Sequence, residues 1–217
     1  MKRILKANWL VFILFFCSNI QSLTAQTIKD VFTSSETSIL YLGIDYTQAR
    51  LIGDASVSGI DLRDKYFTGI NDLVINEPKK YDLAKAFNKS KVDYDLGIVT
   101  KRNQKINAEN IISTSSSDFS RLAEEDINNL VRGIDFEKKK GLGLLFIVEG
   151  MSKTEKAANI WVTIVDMSTK KVLMTERTKS ESKGGFSFRN YWASPIFVLI
   201  ESIEKKKYKE WKSKYGN

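Results

Sequence analysis

The chain has no histidine, and Cys17 is its single cysteine among 217 residues. Without histidine there is no Ser-His-Asp triad and no imidazole pH switch. One cysteine cannot form an internal disulfide or the usual tetrahedral zinc site. Also missing are the EF-hand spacing and the glycine-rich phosphate and dinucleotide motifs. The chemistry left open is that of carboxylates, of Ser-Lys pairs or of oxygen-ligated cations. No cofactor or metal is expected, and catalysis is not the leading expectation. Long apolar runs are scarce too. The longest near the N-terminus, Leu10 to Phe16, is far short of the roughly 20 residues of a membrane-spanning helix.

That short run follows Lys2, Arg3 and Lys6 and precedes a polar stretch ending Thr24-Ala25-Gln26. This is the layout of a secretory signal peptide, with cleavage expected after Ala25. A lipoprotein signal needs a small residue directly before its cysteine, and Phe16 stands there. Residues 1–25 therefore read as a signal peptide and 26–217 as one domain of an exported protein, periplasmic or extracellular. Removing three of the 34 Lys and Arg leaves 31 against 26 acids, a balance of about +5. That is a mild excess for a domain outside the cytoplasm, and nucleic acid is not an expected partner.

Periodicity predicts an α/β (α+β) domain, a mixed sheet of about four to six strands with helices packed on it. Thr37 to Tyr46 reads as a buried strand, extended beyond a polar break by Leu51 and Ile52. Ser58 to Ile75 and Asp82 to Lys89 have helical spacing, and Asn76-Glu77-Pro78 stops the first. Lys91 to Thr100 alternates polar and apolar residues and predicts a half-solvated strand. Glu124 to Ile134 is an amphipathic helix. Leu142 to Gly150 predicts a central strand, and Asn159 to Met167 with Lys171 to Lys179 predicts a β-hairpin. Ser194-Pro195 predicts the start of a long terminal helix running to about Lys214.

The segment "LFIVEG…NIWVTIVDMSTKKVLMTE" is similar to the last strands of small periplasmic α/β domains. These are found in the curli-secretion-channel lipoproteins and in the amino-terminal domain of the Tol-system periplasmic protein. Val165-Asp166, Thr169 and Val172 match their hairpin, and Lys170 replaces a glycine. The whole chain, "GGFSFRNYWASP" included, also resembles exported proteins of Gram-negative bacteria without an assigned activity. These resemblances imply a fold; Phe16 before Cys17 departs from the lipoproteins' anchoring signal.

Three stretches are candidate sites. Ser182 to Pro195 brings Arg189, Asn190, Tyr191 and Trp192 to a helix N-terminus, a place that can hold an anion or present aromatic anchors. Within it Trp192 is expected to serve the core and Arg189 the surface. Asp93 and Asp95 lie two apart, on one face of the expected strand, and with Asp45, Asp54 or Glu149 could make an acid/base pair or a Ca²⁺ site. The lysine-rich end of the last helix, Lys205 to Lys214, could touch an envelope protein or an anionic surface. The resulting expectation is a non-catalytic binding module of the cell envelope. The alternatives are a carboxylate-dependent hydrolase acting on glycans and a membrane-surface-associated assembly factor.

Overall fold

A computed structural model describes residues 26–217; the expected signal peptide and Cys17 lie outside the described residues. The elements run α1 (Ile28–Thr33), β1 (Ile39–Asp45), β2 (Arg50–Ile52), α2 (59–76), α3 (Leu83–Ala86), β3 (Asp93–Tyr94), α4 (Gly97–Asn103), β4 (Ile112–Ser113), α5 (Glu124–Arg132), β5 (Leu142–Ser152), β6 (Ala157–Asp166), β7 (Lys171–Glu181) and α6 (188–215). Helices α2 and α6 each contain one π-turn, at Leu62–Tyr66 and Ile203–Lys207.

The expected mixed sheet, hairpin and long terminal helix are present, with helices on both faces. Strand β5 is the spine, and all 11 of its residues are buried. Its one edge pairs in parallel first with β1 and then, further along, with β2. Its other edge pairs antiparallel with β6, which pairs with β7. β3 and β4 add short parallel pairs outside β1 and β2. Among the described residues the strands number seven because one edge of β5 is served by an interrupted strand whose two halves each take a partner.

Alternation along the strands divides the core in two. Leu144, Phe146 and Val148 point to the larger core beneath α1, α2, α3 and α6. Leu145 and Ile147 point to the smaller one, with Ile98 and Val99 of α4 and Ile127 and Val131 of α5.

The sequence reading fails at Lys91 to Thr100. Only Asp93–Tyr94 is strand, and α4 begins at Gly97. The Asp95 carboxylate accepts the Gly97 amide at 2.9 Å and turns the chain into the helix. Ile98 and Val99 then bury one face, and Arg102 and Asn103 follow one turn later. The alternation that suggested a strand is the overlap of a two-residue strand with a helical stripe.

The terminal helix also begins earlier than Ser194-Pro195 suggests. Ser187 caps it, accepting the Asn190 amide at 3.2 Å, and Pro195 falls inside it. A proline there leaves the carbonyl four residues back without its helical donor. That carbonyl, on Tyr191, accepts the Ser182 hydroxyl at 2.9 Å. Ser194 serves the incoming loop instead, accepting the Lys183 amide at 2.8 Å.

The break between β1 and β2 rests on two buried amides. Gly43 sits at a bulge with φ of 107°, and a Cβ there would lie 2.7 Å from Leu96. Just beyond it the Asn71 side chain accepts the Ile44 amide at 2.7 Å and donates to the Ile44 carbonyl at 3.1 Å. Asn103 accepts the Tyr46 amide at 2.8 Å and donates to the same Ile44 carbonyl at 2.9 Å. Replacing Asn103 with Leu strands the Tyr46 amide in the core, so a loss of about 2–3 kcal/mol is expected. Urea unfolding checks it; a midpoint within error of the parent would show that these amides are dispensable.

The end of α6 is tied to the sheet by Glu176, which accepts from Lys207 at 2.5 Å and from the Trp211 indole at 2.7 Å. Partial burial works against the charged form, but these two donors outweigh it and hold the carboxyl below its ordinary range. A depressed pKa contributes stability above the unfolded value, about 4.5, and the contribution is lost as pH falls through the folded value. Glu176→Gln should therefore be less stable than the parent at pH 7, with the gap narrowing below about pH 4. Melting curves across that range test it, and a gap that widened in acid would reverse the assignment.

Candidate functional site

Where β1 stops and β2 has yet to start, residues Tyr46 to Ala49 turn out of the sheet, closed by the Ala49 amide on the Tyr46 carbonyl at 2.9 Å. Beside this turn is a cleft of about 590 Å³. Thr47, Gln48 and Arg50 form one wall, Lys101, Arg102 and Lys105 at the end of α4 another. Asp135 and Glu137, just after α5, reach its rim. The place is physically apt: parallel strands leave a crevice at their carboxyl ends when neighbouring connections diverge.

A buried ion pair holds the turn. The Asp45 side chain is wholly buried and accepts Arg102 Nε at 2.8 Å, the Thr47 amide at 2.8 Å and the Thr47 hydroxyl at 2.5 Å. Arg102 also donates to the Thr47 hydroxyl oxygen at 3.3 Å. Arg121 grips the turn from behind, donating to the Gln48 carbonyl at 2.7 Å and to the Glu149 carbonyl at 3.3 Å. Arg50 donates to the Ala49 carbonyl at 3.0 Å. Burial and the neighbouring Arg121 guanidinium press the Arg50 pKa downward. Lys101 pairs with Glu137 at 2.5 Å.

The carboxylates proposed as a pair are elsewhere. Asp93 is exposed and pairs with Lys91; Asp95, past the end of β3, pairs with Lys139 at 2.8 Å. That hydrogen bond and the one from the Gly97 amide hold the Asp95 pKa below its ordinary value. β3 aligns with Leu40 and Tyr41, and Asp45 lies four residues further along β1, about 13 Å at the usual rise. Glu149 is buried and satisfied by the Leu122 amide, the Trp161 indole at 3.0 Å and Arg177 at 3.6 Å. Asp54 accepts the Ser56 hydroxyl at 2.5 Å. Among the described residues no three acidic side chains gather as a metal ion would need.

No family model and no curated protein matches this chain. Assignment therefore rests on the residues themselves.

The four residues proposed before the last helix lie in its first two turns. Trp192 is 2% exposed, while Arg189 and Asn190 are exposed and Tyr191 is half-buried. Trp192 packs against Tyr191 and Phe188, with ring centroids 5.0 and 6.3 Å away. Lys153 sits 3.6 Å over the Tyr191 ring. Gly185 is held tightly, since a Cβ there would meet the Tyr191 amide nitrogen at 2.6 Å. Phe186 beside it is fully exposed. Trp192 and Arg189 therefore diverge: one enters the core and the other crosses Gly69 of α2 at the surface.

The cleft residues Arg50, Lys101, Arg102 and Lys105 escaped the sequence reading. A strand over Lys91 to Thr100 ends before Arg102. A helix begun at Gly97 carries Arg102 and Asn103 to the end of β1. The available signal was the pair of apolar residues Ile98-Val99 followed four residues later by Arg102-Asn103.

Trp192→Ala is expected to cost about 3–5 kcal/mol as a truncated core aromatic. Arg189→Ala should stay within about 0.5 kcal/mol of the parent, as an exposed cation with no carboxylate partner among the described residues. Thermal melts of the two variants decide the placement. A stable Trp192→Ala beside an unfolded Arg189→Ala would invert it.

Proposed function

We propose that this is an exported protein of the cell envelope that works as a non-catalytic binding module, with the cleft at the strand break as its binding site. The observation that carries this reading is the make-up of the cleft. Its walls are guanidinium, ammonium and amide groups placed by a satisfied backbone turn. Its rim carboxylates, Asp135 and Glu137, are exposed, and Glu137 is already engaged by Lys101. A glycan hydrolase draws its general acid from a carboxyl group whose surroundings keep it protonated. The deeply buried carboxylates, Asp45 and Glu149, are instead tied up by donors. The layout of residues 1–25 supports the export part of the reading. Among the described residues no helix is long and apolar enough to cross a membrane.

Affinity capture tests it. The tagged protein should retain an envelope component from the detergent-solubilised envelope fraction of its own cells. Arg50→Glu, which reverses charge at the cleft wall, should reduce the yield at least about tenfold, on the scale of a charge clash in a binding site. Equal capture by both proteins would move the site elsewhere. Release of reducing sugars from envelope glycan by the purified protein would replace this reading with the hydrolase.

A further inference from the structure

The cleft is not isolated. A second depression of about 240 Å³ is lined by Lys138, Lys139 and Lys140, by Lys170 of the hairpin turn, and by Asp135. Asp135 also lines the cleft, so the two hollows share a wall. Lys101, Arg102 and Lys139 on these walls have carboxylate partners, in Glu137, Asp45 and Asp95. Among the described residues, Arg50, Lys105, Lys138, Lys140 and Lys170 have no carboxylate within ion-pair reach. Elsewhere on the described surface Lys85, Lys179, Lys183 and Lys205 have carboxylate partners, while others such as Lys29, Lys79, Lys156 and Lys209 have none; what sets the five apart is that they converge on two joined hollows.

Local geometry fixes where Lys138 and Lys170 stand. Glu137 and Lys138 both take the left-handed conformation, with φ of 52° and 61°, and so does Lys170 at 58°. Such backbone is costly for residues with a Cβ. It turns the segment after α5 sharply and brings it beside the hairpin turn, where Asp166 accepts the Ser168 amide at 2.8 Å. Five unpaired cations around two joined hollows repel one another, and a bound anion relieves that repulsion.

We infer that the two hollows together bind one ligand carrying at least two phosphate or carboxylate groups, one seated against Arg50 and Lys105 and another against Lys138, Lys140 and Lys170. This rests on the binding-module reading and names the chemistry its site recognises. Phosphate groups can come from a soluble polyanion or from a lipid headgroup. The same cations would meet either.

Calorimetric titration of the 26–217 protein with tripolyphosphate tests the inference, with inorganic phosphate and phosphatidylglycerol vesicles as parallel arms. Tripolyphosphate should bind at one per chain and more tightly than inorganic phosphate, and the binding should weaken as salt rises from 50 to 200 mM. Arg50→Gln with Lys105→Gln, and separately Lys138→Gln with Lys140→Gln, should each weaken it by about fivefold or more. Lys79→Gln with Lys156→Gln, exposed lysines that line neither hollow, should leave it unchanged and serves as the charge-matched control. Lys105 and the other lysines are exposed, so a Lys105→Gln single variant keeps the test valid if Arg50→Gln fails to fold. Vesicle binding with the same pattern of losses would place the phosphate on a lipid. No tripolyphosphate binding, or equal weakening in the control, overturns the inference. Tripolyphosphate binding without envelope capture would leave the anion site standing and sink the binding-module reading. Capture sensitive to Arg50→Glu without tripolyphosphate binding would do the reverse.

Discussion

The arrangement turns on the backbone of Ile44 to Tyr46. A parallel strand that stops midway along its neighbour leaves amide and carbonyl groups without sheet partners. Buried, each would cost as much as a lost hydrogen bond. Asn71 from α2 and Asn103 from α4 supply those partners from opposite faces of the sheet. The break is therefore a built feature, and it fixes both helices against β1. Through Arg102, beside Asn103, it also fixes the wall of the cleft.

Buried charge is handled the same way at two other points. Asp45 and Glu149 have no exposed side-chain surface, and each accepts from a backbone amide and from a hydroxyl or indole and is ion-paired with an arginine. Breaking such sets is expensive because the remaining charge stays buried. Both carboxylates orient the segments that meet at the end of β1: the Tyr46 to Ala49 turn and the chain leading into α5. Lys89 follows the same logic with the opposite sign. Its ammonium donates to the carbonyls of Val31 and Ser34 at the end of α1, and burial pushes its pKa down to about 8.

The charged groups that build the fold have partners. Those around the two hollows beside Asp135 include five that do not. Their gathering around two joined hollows makes that part of the surface positive.

Much of this could be read from the chain. Leu142 to Gly150 is apolar on both faces and must be a covered strand, and the hairpin follows from two alternating runs around Ser168-Thr169-Lys170. Such elements are set by local pattern, because a strand with two apolar faces has no stable place but a sheet interior. The absence of histidine likewise limits the chemistry whatever the fold. Tertiary structure alone decided the start of α4 and the reach of α6. Asp93 to Asn103 satisfies strand and helix spacing at once, and only packing of Ile98 and Val99 against Leu42 and α5 selects the helix. Pro195 reads as a helix start until Ser182, thirteen residues earlier, serves the carbonyl that the proline leaves empty. The cleft was hidden for the same reason. Arg50, Lys101 and Lys138 are distant in sequence, and nothing local records that a strand break and two left-handed turns bring their neighbourhoods together.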